Sequence, residues 1–127
     1  MAHILLVGSQ LSRLLGLLSL LPDDWNACTL AHTDDVFERA TWSATRDGGP
    51  TIVALDGRAP LPSKRLTRLR VLLAVSSSTL FYLEPGADAL ADQLHGEGAP
   101  VICESDAAEV IVAGLVLFFS RAVGSTP

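Results

Sequence analysis

Short apolar runs alternate along the chain with stretches whose hydrophobic residues recur at helical spacing. His3-Ile4-Leu5-Leu6-Val7, Trp25 to Leu30, Thr51-Ile52-Val53-Ala54-Leu55-Asp56 and Pro100-Val101-Ile102-Cys103-Glu104 are the clearest of these runs. Each is too short for a helix and nearly continuous in hydrophobicity, which predicts strands covered on both faces, as in a parallel sheet. Pro100 at the start of its run suits an edge strand. Between the runs, Leu11, Leu14, Leu15, Leu17, Leu18, Leu20 and Leu21 predict a first helix that stops at Pro22. Thr33-Asp34-Asp35 supplies a cap and first-turn acids for a second helix running to about Ala44, before Arg46-Asp47-Gly48-Gly49-Pro50 breaks it. Ala87 to Leu94 predicts a fourth helix. Ser105 caps a last one, with Asp106 and Glu109 in its first turn, ending near Ala122.

The segment from Leu61 to Glu84 admits two parses. One makes Arg70 to Val75 a strand, leaving barely one or two turns of helix before it, which is short for a crossover between parallel strands. The other makes Ser63 to Ser76 a helix, with Leu66, Leu69, Leu72 and Leu73 on one face, and Thr79 to Glu84 the strand. The second is preferred. Five alternations of strand and helix then predict one α/β domain over residues 1–122, a five-stranded parallel sheet doubly wound by helices. Residues 123–127 form a tail or the start of a linker.

With 127 residues the chain encloses one core, and at 49% hydrophobic against 18% charged it is not disordered. A net charge of −5 opposes tracking of a phosphate backbone, so any DNA contact needs a separate domain. The apolar stretch Val110 to Phe119 is about half of a membrane span, and no basic region precedes the N-terminal leucines, so neither a membrane segment nor a secretory signal is expected. Cys28 and Cys103 lack metal-type spacing and lie in apolar runs, which predicts reduced, buried thiols in a cytoplasmic protein. His3, His32 and His95 show no ligand spacing, no nucleophile–His–acid pattern is present, and Gly8-Ser9 opens no Gly-x-Gly-x-x-Gly turn. The expectation is a non-enzyme with no metal and no cofactor. Lys64, Arg65, Arg68 and Arg70 read as one solvated helix face.

Asp56 stands at the carboxyl edge of its strand, the edge at which open α/β sheets bind and react, and Pro60 follows four positions later. With His3 to Val7, with Leu55-Asp56-Gly57-Arg58-Ala59-Pro60, and with Gly96 ahead of Val101-Ile102-Cys103-Glu104-Ser105, the chain resembles the receiver domains of response regulators along nearly its whole length. The last segment resembles those of LuxR/NarL-like transcription regulators. The resemblance implies a flavodoxin-like sheet ordered 2-1-3-4-5.

The same resemblance implies a phosphoacceptor at Asp56, an acidic pair after the first strand that binds magnesium, a hydroxyl residue ending the fourth strand and a lysine ending the fifth. Here those positions hold Gly8, Ser9, Glu84 and Cys103 (Ser76 replaces Glu84 in the other parse). Gly8 and Ser9 are not hard anionic ligands, an anion at Glu84 repels a phosphoryl group, and the Cys103 thiol brings no counter-charge. The expectation is a degenerate receiver, a phosphorylation-independent regulatory and dimerisation module of a transcription regulator, biased by dimer state or by a small-molecule ligand in the strand-end crevice. The alternative is a pseudo-receiver that docks a protein partner in a non-transcriptional assembly. The first and fifth helices, apolar nearly all round, share one sheet face in this topology. A homodimer through Leu14, Leu18, Val112, Leu115 and Phe119 is expected.

Overall fold

The computed structural model describes residues 4–21, 28–46 and 49–124. Strands β1 (Ile4–Gly8), β2 (Cys28–His32), β3 (Thr51–Ala54), β4 (Thr79–Leu83) and β5 (Val101–Cys103) alternate with helices α1 (Leu11–Leu20), α2 (Val36–Arg46), α3 (Ser63–Val75), α4 (Asp88–Gly96) and α5 (Ala108–Gly124). The strands form one parallel sheet in the order β2-β1-β3-β4-β5. That is the predicted doubly wound architecture.

Every residue of β1, β3 and β4 is buried, as their continuous apolar runs require, whereas the edge strands β2 and β5 are only partly covered. Alternation through the pleat divides the core in two. Leu5, Val7, Val53, Leu55, Phe81 and Leu83 point to α2, α3 and α4. Ile4, Leu6, Ile52, Ala54, Tyr82 and Ile102 point to α1 and α5. The two apolar helices therefore do share a face. β4 is Thr79–Leu83, not 70–75, because α3 needs its full 13 residues to cross from β3 back to the far side of β4.

Two boundaries differ from expectation. β2, described from Cys28, runs on to His32, past the expected end at Leu30; Trp25, Asn26 and Ala27 of the predicted strand lie outside the described residues. An edge strand is only partly covered, so its exposed polar positions Thr29 and His32 belong to it rather than ending it. At the second, Ser105 does not cap the last helix. A turn in which the Asp106 N–H donates to the Cys103 carbonyl at 3.1 Å intervenes, and the helix opens at the Ala107 carbonyl, which accepts from Val110 and Ile111. The α2 cap is Asp35, whose Oδ1 accepts from the Glu38 N–H at 3.2 Å while its own N–H donates to Thr33 Oγ1 at 3.3 Å.

The expected dimer residues also need correction. Leu14 and Leu115 are 0% and 1% exposed, packed inside the subunit beneath the sheet, so neither reaches a second copy. Leu18 and Val112 are half-buried, and the side chain of Phe119 lies outside the described residues. Among the described side chains, the large apolar ones that α1 and α5 turn to solvent are Leu11, Leu15, Val110, Val116 and Leu117. No helix among the described residues is long and apolar enough to cross a membrane.

Candidate functional site

At the carboxyl edge of the sheet the chain leaves β3 through Leu55 and Asp56. Pairing persists one residue past the strand, the Leu55 N–H donating to the Tyr82 carbonyl at 3.0 Å, so Asp56 is the first residue free of the ladder. Gly57 then takes φ +86°, a left-handed turn suited to glycine, and swings the chain away toward α3. The loop is anchored by Gln93 of α4, whose side-chain amide accepts from the Leu61 N–H at 2.6 Å and donates to the Leu61 carbonyl at 3.1 Å.

The crevice beside Asp56 is occupied by a side chain of the protein itself. Arg13, one turn into α1, is the single charged residue of that helix, and it reaches under the strand ends with only 8% of its side chain exposed. Its Nη1 donates to the Leu55 carbonyl at 2.6 Å and to Asp56 Oδ1 at 3.0 Å. Nε donates to Glu104 Oε1 at 3.3 Å, and Nη2 to the Tyr82 carbonyl at 3.4 Å. The guanidinium carbon lies 5.4 Å from the centroid of the Tyr82 ring. A planar guanidinium presents five N–H donors in fixed directions, which lets one cation serve two carboxylates and two carbonyls together. Burying that charge is tolerable only because both carboxylates face it, each with about a third of its side chain in water.

The remaining positions of the predicted pocket gather on the same edge, each engaged in structure. Glu84 turns back to the β3 loop, Oε2 accepting from the Gly57 N–H at 2.9 Å. Gly8 is buried at the end of β1, where an added Cβ would stand 3.0 Å from Leu14 Cδ2 and 3.2 Å from Ala54 Cβ. The Gly8 carbonyl accepts from the Thr33 N–H, and the Ser9 carbonyl from His32 Nε2–H, both at 2.9 Å. Cys103 is half-buried, and its thiol pKa is pushed up by burial and then by the charges of Asp106 and Asp88. Tyr82 is likewise raised, first by burial and then by Glu104. Among the described residues, no three or more His, Cys, Asp or Glu side chains are arranged to hold a metal ion.

Asp56, Glu84, Gly8, Ser9 and Cys103 thus lie along one edge of the sheet, joined there by Arg13 and Glu104, which the sequence reading did not place there. A signal was present in the sequence: one arginine in an otherwise uncharged, leucine-rich helix has to find a counter-charge. A hollow of about 500 Å³ opens at the opposite end of the strands between the end of α3 and Pro100, away from Asp56.

No protein-family model matches the sequence, and no curated protein matches it. In three dimensions the chain is similar to the crystal structure of the signal receiver domain of a Vibrio parahaemolyticus protein assigned as a Luxo repressor. The TM-score is 0.67 at 18% identity, with 96% of this chain and 92% of that one covered. The chain has the receiver-domain fold.

Proposed function

We propose that this chain is a receiver-type regulatory module that works without phosphoryl transfer. The observation that carries this reading is the Arg13–Asp56 pair. A working receiver leaves its acceptor carboxylate open to a metal ion and a phosphodonor; here a tethered guanidinium takes that place and neutralises Asp56 from within. One of the two carboxylate oxygens, Oδ1, already accepts a charge-assisted hydrogen bond from Arg13, which draws charge from the group that would attack phosphorus. A side chain at Gly8 would crowd Leu14 and Ala54, and Cys103 brings no positive charge where a phosphoryl group needs one. A small molecule entering the crevice would have to displace Arg13.

In this reading the module acts in the cytoplasm as part of a transcription regulator, reaches DNA only through a separate domain, and pairs with a second copy across α1 and α5. The exposed Leu11, Leu15, Val116 and Leu117 support the pairing. The LuxR/NarL-like placement rests on the Gly96 and Val101 to Ser105 segment. Incubation with acetyl phosphate and magnesium, followed by intact-mass and peptide analysis, tests the central claim. No phosphoryl adduct is expected on Asp56; stoichiometric labelling there overturns the proposal. A second reading, a module that docks a protein partner in a non-transcriptional assembly, is favoured by the half-exposed Trp42 on the opposite face.

A further inference from the structure

The basic residues of this acidic chain are not spread over its surface. Arg39, Arg46, Lys64, Arg65, Arg68 and Arg70, six of its nine Lys and Arg, lie on α2 and α3, two helices that pack side by side. From Val71 to Ser120 there is no Lys or Arg at all, while Glu84, Asp88, Asp92, Glu97, Glu104, Asp106 and Glu109 fall in that stretch. Reading Lys64 to Arg70 as a solvated helix face explains one helix and leaves this segregation unexplained.

Between α2 and α3 lies a hollow of about 410 Å³ whose lining includes Phe37, Thr41, Trp42, Thr67, Arg68 and Val71. A second hollow of about 280 Å³, beside Thr33, Asp35 and Arg39, shares Trp42 and Glu38 with the first, so the indole forms a ridge between the two. Trp42 is 50% exposed and Val71 49%, far more than packing of the subunit needs. The indole is nevertheless held in place. The guanidinium carbons of Arg39 and Arg46 lie 5.0 and 4.6 Å from its centroid, and Arg39 also donates to Ser43 Oγ. A large aromatic already fixed in the free protein loses little entropy on binding, and such residues dominate interface energetics.

We propose that the α2–α3 groove is a docking site for an acidic amphipathic helix of a partner protein, its apolar side chains entering the hollow between Phe37, Trp42 and Val71 and its carboxylates meeting Arg39 and Arg46. Charge complementarity and the apolar lining together select this occupant. Nucleic acid fits less well, because a phosphate backbone leaves the apolar side of the groove, Phe37 and Val71, unfilled, whereas the apolar face of a helix covers it. Neither hollow is lined by Asp56, Glu84 or Cys103, so the inference stands whether or not Asp56 can be phosphorylated.

The probe is a fluorescein-labelled, end-capped peptide of about 18 residues with Leu and Phe at helical i, i+3, i+4, i+7 spacing and Glu or Asp elsewhere. Its control carries Lys at the acidic positions. By anisotropy with the full chain the acidic peptide is expected to bind and the lysine peptide not to. Trp42→Ala and the Arg39→Glu/Arg46→Glu pair should each weaken binding by about tenfold or more. Raising NaCl from ~50 to ~500 mM should weaken it too. In a ¹⁵N spectrum the Trp42 indole N–H, identified through Trp42→Phe, should shift on titration together with amides of residues 37–42 and 67–71. Because Trp42 and Arg46 are exposed and Arg39 is only partly covered, circular dichroism should show these variants folded, which keeps a loss of binding interpretable.

Four outcomes overturn the proposal. Equal binding of both peptides is one, and shifts confined to the strand-end crevice are another. A short DNA duplex binding as well as the acidic peptide would make the surface a phosphate site. Salt-sensitive self-association, abolished by Arg39→Glu/Arg46→Glu and restored by Asp106→Lys/Glu109→Lys, would show that the groove takes a second copy of this chain.

Discussion

The guanidinium of Arg13 lies 3.0 Å from the carboxylate of Asp56, joining α1 to the end of β3 across 43 positions of sequence. Removing the cation leaves Asp56 and Glu104 facing each other in a part-buried crevice with no compensating charge. Arg13→Met should therefore cost about 1–3 kcal/mol in urea denaturation, less than a fully buried pair because both carboxylates keep some water. Asp56→Asn made in both backgrounds closes a double-mutant cycle. A clearly non-zero coupling is expected. Independent, additive losses would mean that the pair contributes nothing as a pair.

Gly8 shows why the acidic pair of a working receiver cannot simply be restored. A Cβ at this position meets Leu14 Cδ2 at 3.0 Å and Ala54 Cβ at 3.2 Å, both in the packed layer under the sheet. Gly8→Ala should destabilise by ~1–2 kcal/mol through overpacking, and Gly8→Asp by more, since it also buries a charge. Shortening the neighbour in Gly8→Ala/Leu14→Ala should recover part of the overpacking loss relative to Leu14→Ala alone. Thermal or urea unfolding of the four proteins decides it: equal penalties for Gly8→Ala in both backgrounds would place the strain elsewhere.

Topology was legible because β1, β3 and β4 are buried on both faces and so appear in the sequence as unbroken apolar runs. Edges were less legible. β2 keeps polar residues at exposed positions, so its run of hydrophobicity does not coincide with its hydrogen bonding. The start of α5 was hidden for another reason: Ser105 is a good capping residue by type, but backbone turn geometry decides whether it caps. The Asp56 edge could be assembled from strand ends alone. Arg13 could not, because a long side chain entering from a helix face leaves no spacing motif near its partners, and Glu104 is 91 positions away from it. The same gap separated Leu14 and Leu115 from the truly exposed Leu15 and Leu117, since an all-round leucine pattern does not say which face looks at the sheet.

Both cysteines are shifted in one direction. Burial pushes the Cys28 thiol up, and burial followed by Asp106 and Asp88 pushes Cys103 up. At pH 8 the native protein should carry less thiolate than a free cysteine, and labelling by a disulfide reagent should be slower than for the urea-unfolded chain. The sign for stability follows from the same shift. A folded pKa above the unfolded one gives a contribution fully present below the ordinary thiol value of about 9 and lost as pH rises through the folded value. The urea midpoint should thus fall above pH ~9, and Cys28→Ser/Cys103→Ser should flatten that fall. A native labelling rate equal to that of the unfolded chain would contradict the shift.

Leu14 and Leu15 are adjacent on α1, yet one is 0% and the other 49% exposed. Leu115 and Leu117 on α5 divide in the same way, at 1% and 61%. Leu14→Ala and Leu115→Ala should each cost about 2–5 kcal/mol, as truncations in a closed core do, with stability lost at any protein concentration. Leu15→Glu and Leu117→Glu remove no core contact and should leave the urea midpoint of dilute protein within ~0.5 kcal/mol of the parent. If α1 and α5 pair with a second copy, these two charges are what break it, because each buries a carboxylate in an apolar interface. Sedimentation across a range of concentrations should show the parent associating and Leu15→Glu/Leu117→Glu monomeric. A parent that stays monomeric at the highest concentration reached would remove dimerisation through this face from the proposed mechanism.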